Sequence, residues 1–301
     1  MFKPKIVKKG RSGKPIQPVD GGAPNDSWLD LCPELSKIIS VPVLKYDNDV
    51  APAAEGADAL AMRSVPEMEA EKALQDDVLA NKQVKLSRTG LVRVYPSDVS
   101  INSENMVPMP LFSLGAQLVS MNYQTHDINY HVYQGFFRQN GSAGYVEKPA
   151  TLCDAFSDRP YDEHTTAVPG KMLSVTVISG QQLTTPGEYF GDIIDPYVVV
   201  GISGKQMDCT EKATRAIDNN AFNPYWREAF EFQVRCPDIA MFYVVAVDDT
   251  QHRECQLGQF ACPVRSLRPG YDDQSVLCVS QRGRSQAPIR FLVCPNVPSY
   301  A

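Results

Sequence analysis

Asn219-Asn220-Ala221-Phe222-Asn223-Pro224-Tyr225-Trp226 is bracketed by Ile193-Ile194-Asp195-Pro196-Tyr197 on one side and Val247-Asp248-Asp249-Thr250 on the other. These are loop sequences set among short segments of alternating polarity. Leu173, Val175 and Val177 alternate with Ser174 and Thr176; Phe230, Phe232 and Val234 alternate with Glu231 and Gln233; Phe291 and Val293 repeat the scheme. A period of two is that of a half-buried strand. Turn signals at Pro186-Gly187, Gly204, Asn223-Pro224, Pro237, Pro269-Gly270 and Gly283 come at the intervals of a β-sandwich. The sequence from 170 to 296 is therefore expected to form one all-β domain, with its boundary between Pro160 and Gly170.

Upstream the pattern is different. Residues 10–30 are rich in Gly, Pro, Ser and Asp without an apolar period and are expected to be a linker. Leu35, Ile38, Ile39 and Val41 suit a short strand buried on both faces, and 47–66 is loop-like. From Glu67 to about Lys82 the stripe Met68, Ala70, Leu74, Val78, Leu79 behind Pro66 predicts an amphipathic helix. Leu91–Tyr95 and Gln117–Tyr123 are expected strands, His126–Arg138 a short helix, and Gly144-Tyr145-Val146 a last strand. Strands separated by helices suggest a parallel α/β sheet, and four are too few to close an eight-stranded barrel.

At 301 residues the chain is long enough for two domains. With 43% hydrophobic and 21% charged residues it has a globular composition, and no stretch approaches the roughly 20 apolar residues of a membrane-spanning helix. Met1-Phe2-Lys3-Pro4-Lys5-Ile6-Val7-Lys8-Lys9 has no apolar core of a secretory signal, so cytoplasmic residence is expected. Eight cysteines without a CxxC pair give neither a zinc ribbon nor a disulfide framework and are expected to be mostly buried. A net charge of −6 argues against nucleic acid as a partner. The basic residues of the first 14 positions, taken by charge alone, are a solvated tail.

The loop aspartates, with Leu257-Gly258-Gln259 and Ser266-Leu267-Arg268-Pro269-Gly270-Tyr271, make the sequence from Lys171 to Cys294 resemble a C2 domain. Such a domain gathers carboxylates from separate loops at one end of its sandwich, because calcium wants six to eight oxygen ligands and the bound ion then meets anionic lipid. The resemblance implies Ca2+ ligands among Asp192, Asp195, Asn220 (or Asn219), Asp248 and Asp249. It is incomplete: Thr250 and Cys255 stand where calcium-binding relatives carry acids. Without calcium, the aspartates cap loops and the domain packs against protein.

Arg93-Val94-Tyr95-Pro96 followed by Gly115-Ala116-Gln117-Leu118-Val119-Ser120-Met121-Asn122-Tyr123-Gln124-Thr125 resembles the second catalytic half, or Y box, of phosphoinositide-specific phospholipase C. Phe2-Lys3-Pro4-Lys5-Ile6-Val7-Lys8-Lys9-Gly10 is similar to the strand that closes the family's X box. The implied architecture is α/β plus all-β: residues 1–9 the last strand of the X half, 31–160 a partial TIM-like barrel, and 170–296 the C2 β-sandwich. The resemblance implies calcium-dependent hydrolysis of phosphatidylinositol 4,5-bisphosphate to diacylglycerol and inositol trisphosphate, with peripheral attachment to an anionic membrane.

By the same resemblance Lys3 and Lys5 contact ring phosphates, Arg93 binds a ring phosphate and Tyr95 packs on the inositol ring. Pro66, in Ser64-Val65-Pro66-Glu67, stands where the family has a headgroup-contacting serine. The histidine acid and base and the calcium ligands of the reaction belong to the X box. None of His126, His131, His164 and His252 matches them, so no catalytic residue is expected in this chain, and alone it is expected to be inactive. A separately encoded X half is then a candidate partner. The alternative is a non-catalytic calcium- and phospholipid-binding C2 module carrying a degenerate half barrel.

Overall fold

A computed structural model describes residues 38–41, 43–45, 61–96, 103–153, 170–183, 194–249, 255–267, 270–272, 279–280, 283–284 and 289–296. The N-terminal unit is built on four parallel strands in the order β1 (Val43–Lys45), β2 (Met62–Pro66), β3 (Leu91–Tyr95) and β4 (Leu118–Val119). Helices α1 (Glu67–Gln75) and α2 (Asp77–Thr89) form the crossover from β2 to β3. α3 (Pro108–Ser113) precedes β4 and α4 (Ile128–Phe137) follows it. Among the described residues the sheet stays open and no barrel closes.

Alternation along these strands separates two faces. Val65, Val92 and Val94 are buried in one core with Ala70, Val84 and Leu86 of the helices. Met62, Ser64 and Pro66 on β2, and Leu91, Arg93 and Tyr95 on β3, are half-buried on the opposite face. Gln117 stitches the start of β3 by standing in for backbone. Its Nε2 donates to Ser87 O at 2.7 Å and Gly90 O at 3.0 Å, and its Oε1 accepts from Val92 N–H at 2.8 Å.

Several local expectations need correction. The apolar run before residue 42 is not a buried strand: Ile38 is 74% exposed, and pairing begins at Val43. Met62–Pro66, expected as loop, is a strand that buries Arg63 and Val65 on one face and carries Ser64 half-buried on the other. The helix expected over 67–82 is two helices. Asp76 adopts an extended conformation (φ −129°, ψ 113°) and its Oδ1 accepts from Val78 N–H at 2.8 Å and Leu79 N–H at 3.3 Å, so it ends one helix and caps the next. Val78, placed on the apolar stripe, is then exposed. The strand expected over 117–123 pairs only at Leu118–Val119. Gly144–Val146 forms no strand, and Gly144 takes φ +87°. Among the described residues, Cys236 is buried, Cys262 half-buried, and Cys153 and Cys209 exposed.

The C-terminal unit packs two four-stranded antiparallel sheets, and its elements follow the sequence expectation. One sheet has the order β10 (Cys255–Pro263), β9 (Met241–Asp248), β6 (Pro196–Ser203), β7 (Thr210–Ala213). The other has β11 (Gly270–Asp272), β12 (Ile289–Asn296), β5 (Lys171–Gly180), β8 (Tyr225–Val234). Leu173, Val175, Val177, Val198, Val200 and Phe232 fill the space between them. Trp226 is buried there, and its Nε1 donates to Pro196 O at 3.3 Å.

β9 is buried at all eight positions, and its two faces belong to different cores. Phe242, Val244 and Ala246 face the sandwich, whereas Met241, Tyr243, Val245 and Val247 join the core of the N-terminal unit. The second contact is made against α4. Gly135 of α4 lies so close to β10 that a Cβ there would meet Ala261 O at 2.7 Å, and Arg265 Nη2 donates to Gln139 Oε1 at 2.7 Å.

Candidate functional site

Parallel α/β sheets present ligands at the C-terminal ends of their strands. At that end of β3, Arg93 and Tyr95 lie on the same face, with the guanidinium carbon 5.7 Å from the Tyr95 ring centroid. Arg93 Nε is buried and makes no hydrogen bond. Ser64, in register with Arg93 on the neighbouring strand, has a buried Oγ that also makes none. Lys45 of β1 is in register with Ser64, so Lys45, Ser64 and Arg93 form one row across three strands, and Pro66 and Tyr95 form the next row towards the strand ends.

On its β4 side Arg93 borders a cavity of about 1040 Å³, lined among others by Phe112, Tyr133, Phe136, Lys148 and Arg265. Lys148 Nζ donates to Ser87 O at 2.9 Å, and burial lowers its pKa to about 8.

The loop beyond β4 is held by one amide. Asn105 Oδ1 accepts from Asn122 N–H at 2.6 Å, its Nδ2 donates to Thr125 O at 2.9 Å, and its own N–H donates to Asp127 Oδ2 at 2.9 Å. Asp127 Oδ1 in turn caps α4 through Tyr130 N–H at 2.9 Å. His131 Nε2 lies 3.3 Å from His126 O, and burial lowers the His131 pKa to about 4. Neither histidine faces a carboxylate in the arrangement an acid–base pair needs. His164 and His252 lie outside the described residues.

At the loop end of the sandwich, Asp195, Asp248 and Asp249 come together, but through the backbone. Asp195 N–H donates to Asp248 Oδ1 at 2.9 Å, Asn219 N–H to Asp195 Oδ1 at 2.6 Å, and Asp249 N–H to Asp195 O at 3.0 Å. Asn220 Oδ1 accepts from Asn223 N–H at 3.0 Å. Among the described residues no three His, Cys, Asp or Glu side chains gather as a metal cluster.

Residues 38–151 match the Y domain of phosphatidylinositol-specific phospholipase C, and residues 171–279 match the C2 domain. The chain belongs to the phosphoinositide-specific phospholipase C family. Within the family it is similar to the human protein named inactive phospholipase C-like protein 1, 34% identical over 253 residues, which are 81% of this chain and 22% of that protein. It is similar as well to 1-phosphatidylinositol 4,5-bisphosphate phosphodiesterase delta-4 of Pongo abelii, 33% identical over 265 residues, 87% of this chain and 34% of that protein. PLC21 of S. officinalis superposes with a TM-score of 0.68 at 26% identity, covering 80% of this chain and 30% of that one. The chain thus spans between about a fifth and a third of the length of these relatives.

Membership of this phospholipase C family raises the question of calcium at the C2 loops. The described residues supply part of a donor set. Asp195, Asp248 and Asn220 each have an oxygen committed to a backbone N–H, Asp248 is buried, and the acids expected at Thr250 and Cys255 are missing from the sequence. Asp195 and Asp248 each keep a second carboxylate oxygen, and a cation that takes six to eight oxygens would draw its further ligands from beyond the described residues. Asp192, Lys3 and Lys5 lie outside the described residues.

The phosphate-contacting roles open to surface cations of the C2 domain are also reduced by existing bonds. Lys212 Nζ donates to Glu231 O at 2.8 Å, and Arg215 pairs with Glu228 at 3.4 Å. Sequence reasoning singled out Arg93 and Tyr95 and passed over Ser64, because the family's serine position falls on Pro66 and residues 47–66 read as loop. The period-two position of Ser64 relative to Pro66 was the available signal.

Proposed function

We propose that this chain is the headgroup-binding half of a phosphoinositide phospholipase C-type protein. Arg93 pairs with a ring phosphate, the Tyr95 face packs on the inositol ring, and Lys3 and Lys5 supply further phosphate contacts. The C2 domain holds the assembly at an anionic membrane surface as a peripheral, cytoplasmic protein. The observation that supports this reading best is the buried Arg93 Nε without a hydrogen-bond partner, beside Tyr95 at the C-terminal end of a parallel strand. A buried polar group left open is costly unless a ligand completes it.

The chain's own residues bind and orient the headgroup, and they move no proton. In a hydrolase that releases diacylglycerol and inositol trisphosphate, the acid, the base and the catalytic calcium come from an X half. The non-catalytic reading is supported by the relatives named inactive.

Titration calorimetry of the full chain with inositol trisphosphate tests headgroup binding. Arg93→Ala is expected to weaken it on the order of a hundredfold, the scale of hydrogen bonds to a charged group. Unchanged affinity would remove the proposal. Hydrolysis of phosphatidylinositol bisphosphate with and without an added X half then separates the hydrolase from the binding protein.

A further inference from the structure

Both edges of the parallel sheet leave apolar side chains in water. β1 and β4 are its outer strands among the described residues, and each has a strand neighbour there on one side only. Val43 of β1 is in register with Met62 and, through it, with Leu91, on the inner face that carries Arg93 and Tyr95. Leu118 of β4 is in register with Arg93 and shares that face. Val43 is 49% exposed and Leu118 45%, whereas the inner-face residues of the two central strands are half-buried.

The two edges differ in kind. Ile38, Ile39 and Val41 stand exposed ahead of Val43 as an aliphatic run. Beside β4 lies the cavity of about 1040 Å³, where Leu118, Tyr123 and Tyr145 meet the stacked rings of Phe112 and Phe136. One edge thus offers apolar side chains, and the other a recess to receive them. Wholly parallel sheets bury both faces, and an eight-stranded barrel has an interior just wide enough for side chains to fill. Four strands are half of that number. A two-fold axis along the strands sets β1 of one copy beside β4 of the other, twice, and keeps all eight strands parallel. The exposed residues named on the two edges present on the order of 800 Å² per copy, the share that each partner brings to a standard interface.

We propose that a second copy of this chain docks on the sheet edge to edge, β1 to β4 and β4 to β1, so that two half barrels close one eight-stranded barrel. This goes beyond the headgroup reading and does not require it, since it is tested by assembly and not by ligand binding. The closed barrel holds two Arg93–Tyr95 faces in one mouth, each enclosed across β4 by the partner copy's β1.

Sedimentation equilibrium of the full chain across the micromolar range is expected to show a concentration-dependent dimer. Val43→Glu and Leu118→Glu each put a charge into the edge contacts and are each expected to weaken the dimer on the order of a hundredfold. Both positions are exposed in the single chain, so the melting temperature of the monomeric variants should match that of dilute wild type. Val78→Glu, exposed on the crossover helix between β2 and β3, is the control and should leave the dimer intact. Mixing the two variants makes the sharpest measurement. In a heterodimer both charges fall in one contact and the other contact keeps its native sequence, so association should return in part. A wild-type chain that stays monomeric would overturn the inference, as would a dimer that tolerates both substitutions or a mixture that fails to associate. Loss with only one of the two variants would show an edge pairing with itself, and growth into larger assemblies would show edges that pair without closing; either result removes the two-fold barrel.

Discussion

The inner face of the half barrel and the loop end of the C2 sandwich both gather charged and polar side chains, yet they spend their hydrogen bonds differently. On the half barrel, Ser64 Oγ and Arg93 Nε are buried and open. At the sandwich end, Asp195 and Asp248 are closed on backbone N–H groups of Asn219 and Asp195. Donors and acceptors left open mark a surface prepared for a partner that brings its own, whereas those satisfied internally mark loops being held in shape. Family resemblance gives the two sites equal standing as ligand sites, and hydrogen bonding ranks them.

The sharpest way to break this contrast is to remove one group from each side. Asp248→Ala deprives Asp195 N–H of a buried acceptor and is expected to cost about 1–3 kcal/mol of stability, read as a fall in melting temperature, while headgroup affinity is retained. Arg93→Ala is expected to do the reverse. Affinity lost with Asp248→Ala and kept with Arg93→Ala would invert the comparison.

Removing the metal is the next test. A melting curve in chelator should overlay one in millimolar calcium, because ligand binding raises stability only where the folded state holds the ion. A rise of several degrees in calcium would show that Asp192 and its neighbours complete a set that the described donors do not.

A further test lies in acid. His131 has a pKa of about 4 in the fold against 6.5 when unfolded, so between these values the unfolded chain binds more protons. Stability is therefore full above pH 6.5 and declines as the pH falls towards 4. His131→Gln is expected to flatten that decline in urea titrations at a series of pH values. An identical slope would assign it to other groups.

How much of this was legible in the sequence varied with what fixes each element. Leu91–Tyr95 and the sandwich strands announce themselves because one face is apolar and the other is not. Met62–Pro66 did not, since Arg63 and Ser64 interrupt the pattern and Pro66 reads as a breaker; only pairing with β1 and β3 makes it a strand. The break at Asp76 was a local capping signal overridden by composition. β9 carried a signal that went unread: Met241-Phe242-Tyr243-Val244-Val245-Ala246-Val247 is apolar at both parities, as a strand pressed from two sides must be. Arg93 and Tyr95 were legible as a motif, whereas the open valences beside them exist only once neighbouring strands are in register.

Gly135 carries a consequence larger than its size. It lets α4 lie flush on β10, where a Cβ would strike Ala261, and so it sets the pitch between the two units. If the C2 domain comes to rest on a flat surface, the attitude of the half-barrel mouth over that surface is already decided, in the manner of a tool head fixed at a set angle to its handle. One absent methyl group would then determine whether the mouth faces what lies beneath it.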